Sequence, residues 1–151
     1  MDIRPYAYKY YQNILDLDTE AMLDFSDNKL PVNANVDLQK IDEYYDNTNG
    51  SLFVGILNNE VIAMGGFRFI DKATAELKRM RVRKSLRGSG LGTQMLLFLE
   101  SKLQGLGISK IILETASSRN LTLQFYKKNG YRFASESNYG TIPVTKYYKL
   151  I

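Results

Sequence analysis

Three glycines in five residues, Gly88, Gly90 and Gly92 within Leu86-Arg87-Gly88-Ser89-Gly90-Leu91-Gly92, make a loop with no Cβ at those positions to keep a ligand from its backbone N–H groups. An anion suits such a loop. Leu91, Met95, Leu96, Leu99 and Leu103 follow at helical spacing, so the loop opens into a helix N-terminus whose unpaired donors and partial positive charge favour a phosphate. Arg79, Arg81, Arg83, Lys84 and Arg87 crowd the approach, and gathering that charge is costly without an anion to offset it. For acid–base chemistry the choice is narrow. The 151 residues include no histidine and no cysteine, so proton transfer falls to Glu, Asp, Tyr, Lys, water or a terminus, and no metal site is expected.

The element that carries the loop begins upstream, where Ala75-Glu76-Leu77-Lys78-Arg79-Met80-Arg81-Val82 alternates apolar and charged residues as a strand does. The unit is strand, glycine loop, helix. A P-loop requires Lys and then Ser or Thr after its last glycine, and Leu91-Gly92-Thr93 supplies no such Lys. The dinucleotide fingerprint requires two residues between its second and third glycines, and only Leu91 stands there. Arg87, Gly90 and Gly92 do meet Arg-x-x-Gly-x-Gly, which resembles the acetyl-CoA pyrophosphate loop of the GNAT N-acetyltransferase superfamily. A second segment, Leu123-Gln124-Phe125-Tyr126-Lys127-Lys128-Asn129-Gly130-Tyr131, is similar to that family's later motif, in which an apolar residue and Tyr precede a helix-ending Gly and an aromatic.

The resemblance implies acetyl transfer from acetyl-CoA to a primary amine by direct attack in a ternary complex. The pantetheine arm would lie between the diverging ends of the 76–82 and 110–115 strands, bonded to backbone at Met80 and Val82. The pyrophosphate would sit on N–H groups of Arg87, Gly88, Ser89, Gly90, Leu91 and Gly92, with Thr93 next in the binding set. Tyr126 would donate to the departing sulfur and Glu76 would take the amine proton, often through water; a backbone N–H near Met80 would polarise the carbonyl. The family's Asn seven residues before the tyrosine has no counterpart: Arg119 stands there, and Asn120, one residue later, is placed to cap the helix that starts near Leu121. The alternative from a different class is a module that holds CoA without turnover, as a sensor or regulatory subunit.

Composition frames these readings. Apolar residues at 44% and charged residues at 24% are globular values, no apolar run approaches the ~20 residues of a membrane span, and the N-terminus lacks a signal-peptide pattern, so a cytoplasmic protein with no membrane partner is expected. No nucleic-acid partner is expected either, because no base-stacking aromatics are interleaved with the basic cluster. Residues 11–50 carry nine carboxylates against Lys29 and Lys40, in a chain whose net charge is +4. In the resembling fold this region commonly walls the acceptor site, so a cationic acceptor, small molecule or peptide, is expected, with Asp42, Glu43 and Asp46 among its recognition groups. Homodimers are frequent in that family.

The pattern predicts one three-layer α/β domain over residues 1–151, a largely antiparallel mixed sheet with helices on both faces. Strands are expected at 3–10, 51–57, 60–69, 76–82, 110–115, 131–136 and 144–150. Helices are expected at 16–25 (capped by Asp18 or Thr19 and followed by a break at Pro31), at 37–45, from the glycine loop to about Gly105, and at 121–128. Asn58-Asn59 reads as a hairpin turn and Gly65-Gly66 as a bulge or close backbone approach.

Overall fold

The computed structural model describes residues 1–24 and 35–151. Seven strands form one sheet: β1 (Asp2–Pro5), β2 (Gly50–Leu57), β3 (Glu60–Phe69), β4 (Thr74–Val82), β5 (Lys110–Ala116), β6 (Arg132–Tyr139) and β7 (Ile142–Leu150), in the order β1-β2-β3-β4-β5-β7-β6. Every neighbouring pair is antiparallel except β4 and β5. Between these two parallel strands runs α4 (Leu91–Gly105), and α5 (Asn120–Lys128) follows β5. The remaining helices, α1 (Tyr11–Leu23), α2 (Val36–Gln39) and α3 (Ile41–Tyr44), precede the second strand.

Strand alternation divides the apolar residues between two cores. On one face Phe53, Ala63, Ala75, Leu77, Ile111 and Leu113 pack with Met95, Leu96, Leu99 and Leu103 of α4 and with Tyr126 of α5. On the other, Val54 and Met64 pack with Ile14 and Leu17 of α1, Leu38 of α2 and Ile41 of α3. Side chains of Glu76 and Lys78 belong to this second face, since they alternate with Ala75 and Leu77 along β4.

Several boundaries differ from those the pattern predicts, each for a physical reason. The opening strand stops at Pro5, which cannot donate to a ladder, and a 3₁₀ turn over Tyr8–Tyr10 leads into α1. That helix starts five residues before Asp16, so Asp18 and Thr19 are interior rather than capping residues. Phe25 and Pro31 lie outside the described residues. The helix expected at 37–45 is two single turns broken at Lys40 (φ −131°), and folding the turns together brings the Tyr45 hydroxyl to donate to Asp37 Oδ2 at 2.6 Å. Between the strands expected at 131–136 and 144–150 the chain makes a tight turn at Gly140 (φ 61°), with β6 running on to Tyr139 and Pro143 inside β7. Arg119 precedes α5 and Asn120 is its first residue, with no side-chain cap bond, so the expected Asn120 cap is not formed. The hairpin at Asn58-Asn59 holds, with φ of 50° and 64°.

Candidate active site

β4 and β5 stay in register only from Thr74–Lys110 to Glu76–Ile112. Beyond that they part, and the cause lies in β4. Against β3, Met64 pairs with Arg81 but Gly66 pairs with Lys78, so Arg79 and Met80 together stand opposite Gly65 as a bulge. Arg79 adopts φ 56°, which turns the strand. Gly65 keeps the far side open for this: a Cβ there would lie 2.8 Å from Met80 Sδ and 2.9 Å from Met95 Cγ. Because β5 takes no pairs past Glu76, the β5-side backbone edge of β4 from Leu77 to Val82 is left without a strand partner. The side chains of Met80 and Val82 pack toward α4, so what these two residues offer a ligand is main chain.

The parted strands enclose a cleft of about 320 Å³, walled by Glu76, Lys78, Arg79 and Arg81 of β4, Glu114 of β5, Arg119, and the turn residues Tyr139 and Ile142. Glu76 is its innermost carboxylate along β4, half-buried, with Lys78 Nζ at 3.4 Å. Tyr126 does not line it. That side chain is buried on the α4–α5 side, edge-on to Phe125 (centroids 5.1 Å apart) and Tyr131 (5.4 Å). Its hydroxyl makes no hydrogen bond with the described residues and is not among the fully enclosed unpaired atoms, so it opens toward solvent space. Burial pushes the phenol up to about 12, with Arg81 pulling the other way. Glu76 and Tyr126 thus belong to opposite faces of the sheet, and the gap between β4 and β5 is where one face opens onto the other.

At the α4 end of the gap lies the glycine loop. Gly88 (φ 81°) and Gly90 (φ 86°) have open space where a Cβ would stand, so it is their left-handed backbone that requires glycine. Gly92 is helical, and a Cβ there would meet the Phe125 ring at an ordinary 3.5 Å. From Gly88 to Thr93 the N–H groups have no acceptor among the described residues, and α4 has no side-chain N-cap. These are six donors in one curl of chain. Ser89 contributes backbone only, since its Oγ donates to the Leu86 carbonyl at 2.5 Å. The expected Arg87 N–H is not among the donors: it bonds the Lys84 carbonyl at 3.3 Å, while Arg87 Nε donates to the Val82 carbonyl and Nη1 contacts Asp24 at 2.5 Å. Leu91 turns its side chain into the core.

The basic cluster does not wait for a ligand to balance it. Arg79 pairs with Asp37 and Asp18, Arg81 with Asp18, Arg83 with Glu60, and Lys84 and Arg87 with Asp24. The expectation that an external anion offsets this charge is corrected: Asp18 of α1, Asp24 just past its end, Asp37 of α2 and Glu60 of β3 do so. Buried Asp37 shows the balance. Burial alone would raise its carboxyl, and the Arg79 guanidinium with the Tyr45 hydroxyl outweighs burial and holds it below the usual carboxylate range. Arg119 Nη2 donates to the Ala21 carbonyl at 2.8 Å; burial and the neighbouring Arg81 lower this guanidinium to about 10. Asp42, Glu43 and Asp46 are not in the cleft wall, where the carboxylates are Glu76 and Glu114.

Sequence reasoning passed over Asp18 and Asp37, yet a signal was present. Ile14, Leu17, Asp18 and Ala21 form the buried stripe of α1, and a charge on an apolar stripe demands a partner.

The chain matches the family model "Acetyltransferase (GNAT) family" over residues 13–131. A curated relative, the probable N-acetyltransferase 14 of Xenopus tropicalis, is 29% identical over 107 residues, which are 68% of this chain and 51% of the relative; the chain spans about half the length of that protein. Among solved structures, an acetyltransferase from Streptococcus agalactiae 2603 superposes with a TM-score of 0.88 at 19% identity, over 99% of this chain and 98% of the other. A GNAT family acetyltransferase from Elizabethkingia anophelis with acetyl-CoA bound superposes with a TM-score of 0.73 at 21% identity, over 99% and 97%.

Proposed function

The chain belongs to the acetyltransferase (GNAT) family, and from that premise we propose that it moves an acetyl group from acetyl-CoA to a primary amine by direct attack while both substrates are bound. One observation carries the reading: a glycine loop lined with N–H donors and the buried Tyr126 lie on one side of the sheet, and Glu76 lies on the other beside the gap between β4 and β5. A thioester lying in the gap is then open to an amine from the α1 face and to a proton donor from the α5 face.

Each residue has a defined task. Backbone N–H groups from Gly88 to Thr93 hold the pyrophosphate, and the free edge of β4 around Met80 and Val82 bonds the pantetheine amides. Glu76 takes a proton from the ammonium, directly or through water, so that the nitrogen lone pair forms the new N–C bond. The Met80 N–H stabilises the oxygen as the carbonyl adds the nitrogen. As the carbonyl re-forms and the C–S bond breaks, the nitrogen gives up its second proton to solvent and Tyr126 donates a hydrogen bond to the leaving sulfur. The thiolate of a thiol of ordinary acidity, ~8.5, is a weaker base than a phenolate whose phenol lies at about 12, so Tyr126 holds the thiolate by a hydrogen bond and solvent supplies its proton in the end.

The acceptor is read as a cationic amine, a small molecule or a peptide terminus, attracted by Glu76 and Glu114 rather than by Asp42, Glu43 and Asp46. Incubation with acetyl-CoA and a panel of polyamines, aminoglycosides, amino acids and basic peptides, read by product mass, tests this. An acetylated amine with free carboxylates only would overturn the cationic assignment. Acetyl-CoA binding with no acetylated product across the panel would favour a CoA-holding module instead.

A further inference from the structure

Among the described residues, four that are not glycine have positive φ: Asn47, Asn58, Asn59 and Arg79. Asparagine tolerates the left-handed region; arginine gains nothing there from its own backbone. Glycine would take the bulge conformation of Arg79 without strain, so the side chain is what accounts for the residue at this point of β4.

That side chain is the hub of a buried network. Its Nε donates to Asp37 Oδ2 at 3.0 Å and its Nη2 to Asp37 Oδ1, a two-pronged pairing of the kind a guanidinium suits and an ammonium does not. Nη1 reaches Asp18 Oδ1 at 3.3 Å and Asn35 Oδ1 at 3.4 Å. Asp18 also accepts from Arg81 Nε at 3.2 Å, and Asp37 from the Tyr45 hydroxyl. The Arg79 and Asp37 side chains are 10% and 7% exposed, so water competes little for these bonds. Two helices on the acceptor face are thereby fastened to the turn in β4.

We propose that Arg79 is a positioning residue for acyl transfer: clamped between Asp18 of α1 and Asp37 of α2, it holds the β4 bulge in the left-handed turn that aims the Met80 N–H at the thioester carbonyl. The inference rests on the role given to Met80 above. It assigns the network to the reaction as well as to the fold, since a small displacement of one donor costs on the order of 100-fold in rate.

The test compares wild type with Arg79→Gly, which fits the turn but frees the clamp, and with Arg79→Gly/Asp37→Asn, which also removes the unpaired buried charge. Arg79→Lys, retaining charge without the fork, serves if the first variant does not fold. Three quantities are read: melting temperature, acetyl-CoA affinity, and the isotope-edited infrared stretch of the thioester carbonyl in bound acetyl-CoA, which needs no acceptor. A carbonyl red shift is expected in wild type and its loss in each variant, with acetyl-CoA still held by the untouched glycine loop and affinity lowered no more than about tenfold, since the β4 edge also bonds pantetheine. In the double variant the melting temperature recovers and the shift does not. A red shift that survives Arg79→Gly, or returns with stability in the double variant, overturns the clamp. Wild-type protein that binds acetyl-CoA with no red shift overturns the role of Met80 and the clamp with it, a distinct result.

Discussion

Glu76 of β4 and Ile112 of β5 are the last residues at which the two parallel strands remain in register, so the candidate base sits at the vertex of the gap. Tyr126 is buried in the core on the opposite face of the sheet. Neither residue is near the other in sequence, and neither shares an element with the anion loop. Their cooperation depends on how far β4 and β5 part.

Removing the Tyr126 hydroxyl by Tyr126→Phe is expected to lower kcat on the order of 100-fold. Acetyl-CoA affinity changes little, and because the hydroxyl has no hydrogen-bond partner among the described residues the stability stays within about 1 kcal/mol. With the phenol pushed up to about 12, Tyr126 remains protonated from pH 7 to 10 and contributes no alkaline fall in rate over that range. An alkaline limb below pH 10 that disappears in Tyr126→Phe would contradict the assignment.

Glu76→Gln should lower kcat on the order of 100-fold near neutral pH, where the acceptor amine is charged. The deficit should shrink as pH rises toward the pKa of the acceptor, because the amine then arrives without the proton Glu76 removes. A deficit independent of pH would assign Glu76 to acceptor binding.

Gly90→Ala and Gly92→Ala separate the glycine loop from the helix. At Gly90 (φ 86°) a Cβ costs about 1 kcal/mol of strain, and acetyl-CoA affinity should fall as the donors shift. At Gly92 the backbone is helical and a Cβ meets only an ordinary contact, so alanine should stabilise α4 by up to ~1 kcal/mol and leave affinity unchanged. Isothermal titration and thermal melting check both.

Asp37→Asn leaves Arg79 with Asp18 as its remaining carboxylate among the described residues and should cost about 3 kcal/mol at pH 7. The folded-state carboxyl lies below its ordinary value, so its stabilisation is fully present above pH ~4 and is lost as pH falls toward the folded value. Urea denaturation at pH 7 and pH 3.5 should therefore show a gap between wild type and Asp37→Asn that narrows in acid. An equal gap at both pH values would remove the ionised pair from the explanation.

Local chemistry explains which features the sequence revealed. Glycine spacing announced the loop, apolar periodicity announced α4, and Asn58-Asn59 announced the β2–β3 turn, because each is decided by residues adjacent in the chain. The Arg79 clamp was hidden, since Asp18 and Asp37 lie 61 and 42 residues away and only folding joins them. The same distance concealed why the basic cluster is tolerated. Glu76 and Tyr126 could be named by resemblance, but their separation onto opposite faces required knowing that β4 alternates one way and α5 packs on the other side.

The left-handed turn at Arg79 also bears on how this protein could be diversified. Under the proposed function a different acceptor would be reached by exchanging α1 and α2, since Met22 of α1 and Asn35 just before α2 line the cleft. Any exchanged segment lacking carboxylates at the positions of Asp18 and Asp37 strands a buried guanidinium and loosens the turn beside Met80. Residues 18, 37 and 79 are therefore a single unit of inheritance, and transplanting acceptor preference into this scaffold means moving all three together.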